Sequence, residues 1–125
     1  MQINQISQKI IHCSYLVHKR LGPGLLESIY QECLCYELRK AHLSVLKQVP
    51  MPVIYDDLKL ESGFRLDLLV EDQVIVEIKS VENLHEVYFA QTLTYLKLAN
   101  RHLGLLINFN VPLIKNGIRR IVHNL

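Results

Sequence analysis

Three residues near the middle of the chain are of types, and at a spacing, that could act together. Asp67 and Glu77 are separated by nine residues, and Glu77 opens the triplet Glu77-Ile78-Lys79. In an extended strand, residues two apart share a face. Glu77 and Lys79 then project together, while Val76 and Ile78 turn to the opposite, apolar side. Glu71-Asp72-Gln73 lies between the two halves and reads as a hairpin turn. With that turn centred on Asp72, Asp67 falls opposite Glu77, and directly opposed residues lie about 4.5–5.5 Å apart at Cβ. Two such carboxylates repel, and one takes up a proton unless a cation relieves them. Mg²⁺ suits the place, since it takes one or two carboxylates and keeps several waters. The backbone carbonyl of Ile78 offers a further oxygen. Lys79 can hold or deprotonate a water, or stabilise charge developing at phosphorus. The chemistry that follows is metal-assisted hydrolysis of a phosphodiester. The competing reading is a solvated hairpin face, and a slip of one residue would turn Asp67 away from Glu77.

The elements that must position these residues follow from periodicity. Ile3, Ile6, Ile10, Val17 and Leu21 recur at helical spacing and predict a helix over Asn4–Arg20. Gly22-Pro23-Gly24 breaks it. Leu26, Ile29, Tyr30, Cys33 and Leu38 predict a second helix over Leu25–Ala41. Val45 to Tyr55 is extended, and Pro50 and Pro52 confine it to an edge or an irregular strand. Asp56-Asp57 signals a turn. Strands are expected over Phe64–Val70 and Val74–Val81, a helix over Leu84–Asn100, and strands over Leu103–Phe109 and Ile118–Val122, the last after an Asn116-Gly117 turn. The order ααβββαββ predicts one α/β domain over residues 1–125, with a mixed β-sheet flanked by helices.

Composition excludes several classes. Of 125 residues, 50% are apolar and 21% charged, enough for a packed core and unlike a disordered chain. The net charge of +2 rules out a strong polyelectrolyte, but its distribution is uneven. Residues 56–86 carry nine acids and three bases, whereas residues 87–125 carry five bases and no acid. The acidic centre reads either as solvated turns or as a metal site within a basic surface. No export signal and no membrane-length apolar run is found, so the expected location is the cytoplasm. Cys13, Cys33 and Cys35 read as reduced, core-filling thiols, since Cys33 and Cys35 point apart on a helix. The six histidines form no two-histidine metal motif.

Asp67 with Glu77-Ile78-Lys79 resembles the core of the PD-(D/E)XK nuclease superfamily. Gln91-Thr92-Leu93-Thr94-Tyr95 is similar to the Q-x-x-x-Y motif of its RecB-like branch. Gly24-Leu25-Leu26-Glu27-Ser28-Ile29-Tyr30 resembles the signature of the small prokaryotic GxxExxY proteins, with His18 and Leu21 to Pro23 as the lead-in. Leu66 stands where the superfamily's name pattern has Pro. The resemblance implies a restriction-endonuclease-like fold. It implies Asp67 and Glu77 as metal ligands, Lys79 as the catalytic lysine, and Glu27 as a further acid in or beside the metal site. Gln91 and Tyr95 would orient the site or touch nucleic acid, and His18 would lie near it. Arg65 would share the face of Asp67 and could bind phosphate bidentately. Plainer readings stand beside these. Glu27 is also a favourable first-turn acid, Tyr30 a core residue, Gln91 and Tyr95 a half-buried polar pair, and Gly22 and Gly24 helix punctuation.

Two functions from different classes follow. The first is a Mg²⁺- or Mn²⁺-dependent nuclease acting on DNA rather than RNA, with Lys97, Arg101, Lys115, Arg119 and Arg120 as sequence-blind phosphate contacts. Cutting both strands commonly needs two active sites, which makes a homodimer one expectation. The second is a non-catalytic module on the same fold, binding nucleic acid or protein, or serving as a subunit of a repair or defence complex.

Overall fold

The computed structural model describes residues 1–125. The first helix, α1, spans Ile3–Leu21 and buries Ile6, Ile10, Cys13, Ser14 and Val17, a stripe at three- and four-residue intervals. The second, α2, spans Glu27–Lys40 and buries Tyr30, Leu34, Cys35 and Leu38. A third, α3, spans Glu86–Ala99 and ends at Asn100 in the left-handed conformation. The strands are β1 Val45–Tyr55, β2 Leu58–Val70, β3 Val74–Lys79, β4 Leu103–Asn108 and β5 Ile118–Val122. They form one sheet in the order β1-β2-β3-β4-β5. β3 and β4 pair in parallel across α3, and every other pair is antiparallel. The expected element order and mixed sheet are therefore present.

The two faces of the sheet are covered unequally. Helices α1 and α2 pack on one face over a large core that takes in Leu68, Val70, Val74, Val76, Ile78, Leu105 and Ile107. Helix α3 covers the other face over a small core of Leu66, Leu69, Ile75, Leu96 and Ala99. Strand β4, between β3 and β5, is buried throughout, as a strand covered on both faces must be. Cys13 and Cys35 are buried and Cys33 is half-buried, all as free thiols. Burial pushes the Cys13 and Cys35 thiols upward, away from reactivity.

Three features differ from expectation. β2 begins at Leu58 rather than Phe64, because Leu58, Lys59 and Leu60 pair with Tyr55, Ile54 and Val53 of β1 although residues 58–63 are exposed and carry no burial alternation. The pair β1–β2 thus extends past β3 as a two-stranded arm. Within it, a register shift between Met51 and Val53 brings Val53 against Gly63, where any Cβ would collide with the Val53 side chain. β3 stops at Lys79, and a single 3₁₀ turn, Ile114–Gly117, replaces the Asn116-Gly117 turn before β5. The prolines behave as expected, since β1 is an edge strand.

Candidate active site

The hairpin register is Leu68↔Val76, Leu69↔Ile75 and Val70↔Val74, centred on Asp72. One step further, Asp67 stands opposite Glu77. There the ladder gives way to side chains. The Asp67 N–H donates to Glu77 Oε2 at 2.9 Å, and the Ile78 N–H donates to Asp67 Oδ2 at 2.8 Å. Each carboxylate thus occupies a backbone donor of the other strand. Because a strand residue directs its N–H and C=O to the same edge, the Ile78 carbonyl also faces this gap.

Electrostatics set the two carboxyls apart from ordinary ones. Glu77 is 4% exposed, and burial together with the neighbouring Asp67 pushes its carboxyl up to about 8. Burial also raises Asp67, against the opposing pull of the Ile78 N–H and Lys79. Glu27 adds negative charge to both. Tyr95 is raised by burial and then by the charges of Glu77 and Asp67. Its ring stacks on Phe64 at 4.7 Å. Lys79 is half-buried, and its ammonium lies over the Tyr88 ring, 4.7 Å from the centroid.

The G-x-x-E-x-x-Y segment places Glu27. Gly24 has φ +98°, a conformation that favours glycine. Tyr30 is fully buried and stacks on Phe109 at 4.6 Å. Its hydroxyl donates to the Gly22 carbonyl at 2.6 Å and accepts from the Leu25 N–H at 3.1 Å. The Leu25 carbonyl accepts from the Ser80 hydroxyl at 2.6 Å, and Glu27 Oε2 accepts from the Ser80 N–H at 3.2 Å. The core tyrosine therefore fixes the turn, and the turn fixes the start of α2 against the residue that follows Lys79. Glu27 is at once a first-turn acid and a site neighbour. Tyr30 is a core residue that also acts as a clamp.

A cleft of about 430 Å³ is lined by Glu27, Ser28, Gln31, Gln48, Asp67 and Ile78. A larger groove of about 760 Å³ runs between α1 and α2 past Leu16, Cys33 and Tyr36, but it contains none of the hairpin residues. Gln31 and Gln48 were not found from sequence. Neither lies in a motif, and they meet only because α2 crosses the bend in β1. Gln48 Nε2 donates to Gln31 Oε1 and approaches Asp67 Oδ1 at 3.4 Å.

No three His, Cys, Asp or Glu side chains stand close enough to enclose a cation by themselves. The donor set still suits a hard cation, since two carboxylates and a carbonyl edge meet Mg²⁺ preferences when waters complete the shell. A cation there would also offset the burial and the neighbouring Asp67 charge that push Glu77 up.

The other expected residues are placed unevenly. Gln91 is exposed one turn from Tyr95 on α3. Arg65 is exposed on the arm, with no side-chain partner. Arg101 is held by Asp72, at 2.7 Å, at the far end of the hairpin. Lys97 lies in the last turn of α3, at that same end. Arg119 donates to the Asn116 and Ile118 carbonyls, and Arg120 reaches Asn4 on α1. These four do not converge with the carboxylates, and the basic C-terminal stretch is spread over both faces of the sheet rather than gathered into one patch. His18 Nε2–H donates to the Val111 carbonyl at 2.8 Å and ties α1 to the loop after β4.

A mixed sheet with helices on both faces, and an acidic pair plus lysine at the end of its central hairpin, defines a restriction-endonuclease-like α/β protein. The model of the PD-(D/E)XK nuclease superfamily matches residues 4–121, and the chain belongs to that superfamily. No curated protein and no solved structure matches it.

Proposed function

We propose that the protein is a divalent-metal-dependent nuclease that hydrolyses phosphodiester bonds in DNA, with residues 1–125 acting as one catalytic domain. One observation carries this reading. A buried and a half-buried carboxyl face each other across a hairpin, each accepting a backbone N–H of the other strand, and burial first, then Asp67, pushes Glu77 up to about 8. Such a pair is costly without a cation. Asp67 and Glu77 would hold Mg²⁺ or Mn²⁺, with the Ile78 carbonyl as a third donor and Glu27 beside them. The metal would supply Lewis-acid stabilisation at the phosphate and lower the pKa of water. Lys79 would leave the Tyr88 face to hold the attacking water or to neutralise charge on phosphorus. Tyr95 and Gln91 would border the site from α3, and Arg65 would contact a phosphate along the arm. The motif set favours the GxxExxY and RecB-like kind within the superfamily.

The test is cleavage of supercoiled plasmid and of single-stranded DNA with Mg²⁺ or Mn²⁺. The wild type should cut, EDTA should stop it, and Asp67→Ala should lower the rate by at least about 100-fold, as losing a transition-state interaction of ~3 kcal/mol requires. Equal rates for wild type and Asp67→Ala would sink the proposal. A second reading, a binding module without catalysis, draws on the position of Lys79 over Tyr88, outside the cleft. It predicts DNA retention without cleavage under every metal.

A further inference from the structure

In a regular strand, residues 47 and 49 share a face, as do residues 66 and 68. Here they do not. Val45 belongs to the core under α1 and α2, and Lys47 pairs with Glu32 of α2 at 2.8 Å. Val49 and Met51 instead pack in the small core under α3. β2 changes face at the same level. Leu68 and Val70 face α1 and α2, while Leu66 and Phe64 face α3. The register does not slip, since Lys47↔Leu68 and Val49↔Leu66 continue one pairing. Both strands therefore turn over together at a single level, occupied by Gln48 and Asp67.

Gln48 has φ +50°. The other non-glycine residues with positive φ are His42, Asp56, Glu71, Asp72, Asn100 and Asn124, all of which lie outside the strands. Gln48 alone adopts this conformation within a strand. A non-glycine side chain there is strained, so the surrounding structure must impose it. Its amide points to Gln31 and Asp67, and all three line the cleft.

We propose that Gln48 is the positioning residue of Asp67. Its left-handed backbone turns the β1–β2 pair over, so that Asp67 leaves the ladder and enters the cleft. Its amide, braced by Gln31, holds the Asp67 carboxylate from the side opposite the Ile78 N–H. This inference rests on the reading of Asp67 as a metal ligand.

Replacement by glycine separates the two parts. Gly accepts φ +50° without strain but has no amide. Gln48→Gly should unfold at the same or a higher temperature than wild type, yet bind Mn²⁺ about tenfold more weakly by titration calorimetry, the loss typical when a group orienting a ligand is removed. Gln48→Ala should lose the same affinity and also unfold at a lower temperature than Gln48→Gly, because the strain remains. Gln48→Asn, which tolerates positive φ and keeps an amide, should recover part of the affinity. If wild type and Gln48→Gly bind Mn²⁺ equally, the positioning role is wrong. If Gln48→Gly unfolds at a lower temperature than Gln48→Ala, the backbone part is wrong. If wild type itself binds no Mn²⁺, the metal-site reading fails and takes this inference with it.

Discussion

At the scale of single residues, Glu77 decides most. Its carboxyl ordinarily titrates near 4.5 and is pushed up to about 8 in the folded protein, by burial first and by Asp67 second. A carboxyl whose folded pKa lies above its unfolded value favours the folded state while it is protonated. That contribution is complete below about pH 4.5 and is lost as the pH rises toward 8. The raised Asp67 works in the same direction. Metal-free protein should therefore lose on the order of a few kcal/mol of stability from pH 5 to pH 8 and unfold at progressively lower temperature. Glu77→Gln, which cannot ionise, should flatten that slope in thermal melts at constant ionic strength. A wild-type slope as flat as that of the variant would mean that Glu77 is not buried as a neutral acid. The types and spacing of Asp67, Glu77 and Lys79 were legible in the sequence because strand alternation and a hairpin centre are simple periodic facts. Their exchanged backbone bonds were not, since nothing in the spacing says that the ladder ends at Leu68 and Val76.

At the scale of elements, the start of α2 is a small machine built on Tyr30. Gly22, Leu25, Ser80 and Glu27 are linked through its hydroxyl and the turn that it closes. Tyr30→Phe keeps the stack on Phe109 but leaves the Gly22 carbonyl and the Leu25 N–H without that partner. It should cost about 1–3 kcal/mol in denaturant unfolding, and it should loosen Glu27. An unchanged midpoint would show that the clamp carries no strain or load. Helix and strand identities could be read from apolar periodicity, and the Pro50 and Pro52 argument for an edge strand agrees with the sheet order. Two things could not be read in this way. The outer half of β2 has no buried stripe to reveal it, because Leu58 and Leu60 lie exposed on the arm. The reversal at Gln48 and Asp67 breaks the very alternation on which the reading depends.

At the scale of the whole molecule, the uneven charge is concentrated at the central hairpin. The central acids include the Asp67–Glu77 pair, whereas Asp72 holds Arg101 and Glu71 accepts from the Ser44 N–H. The C-terminal bases are divided between faces and partners: Arg101 is held at Asp72, Arg119 at Asn116 and Arg120 at Asn4. No helix is long and apolar enough to cross a membrane. What unifies the candidate site is the way that α2 and the β2–β3 hairpin bring Glu27, Asp67 and Glu77 toward one gap in the sheet. The most direct measurement of this arrangement is an anomalous difference map from crystals soaked in Mn²⁺. The account predicts a single strong peak in contact with both Asp67 and Glu77, with the Ile78 carbonyl in reach and the Asp67 N–H released by Glu77. A peak elsewhere, or none at a saturating Mn²⁺ concentration, would contradict it.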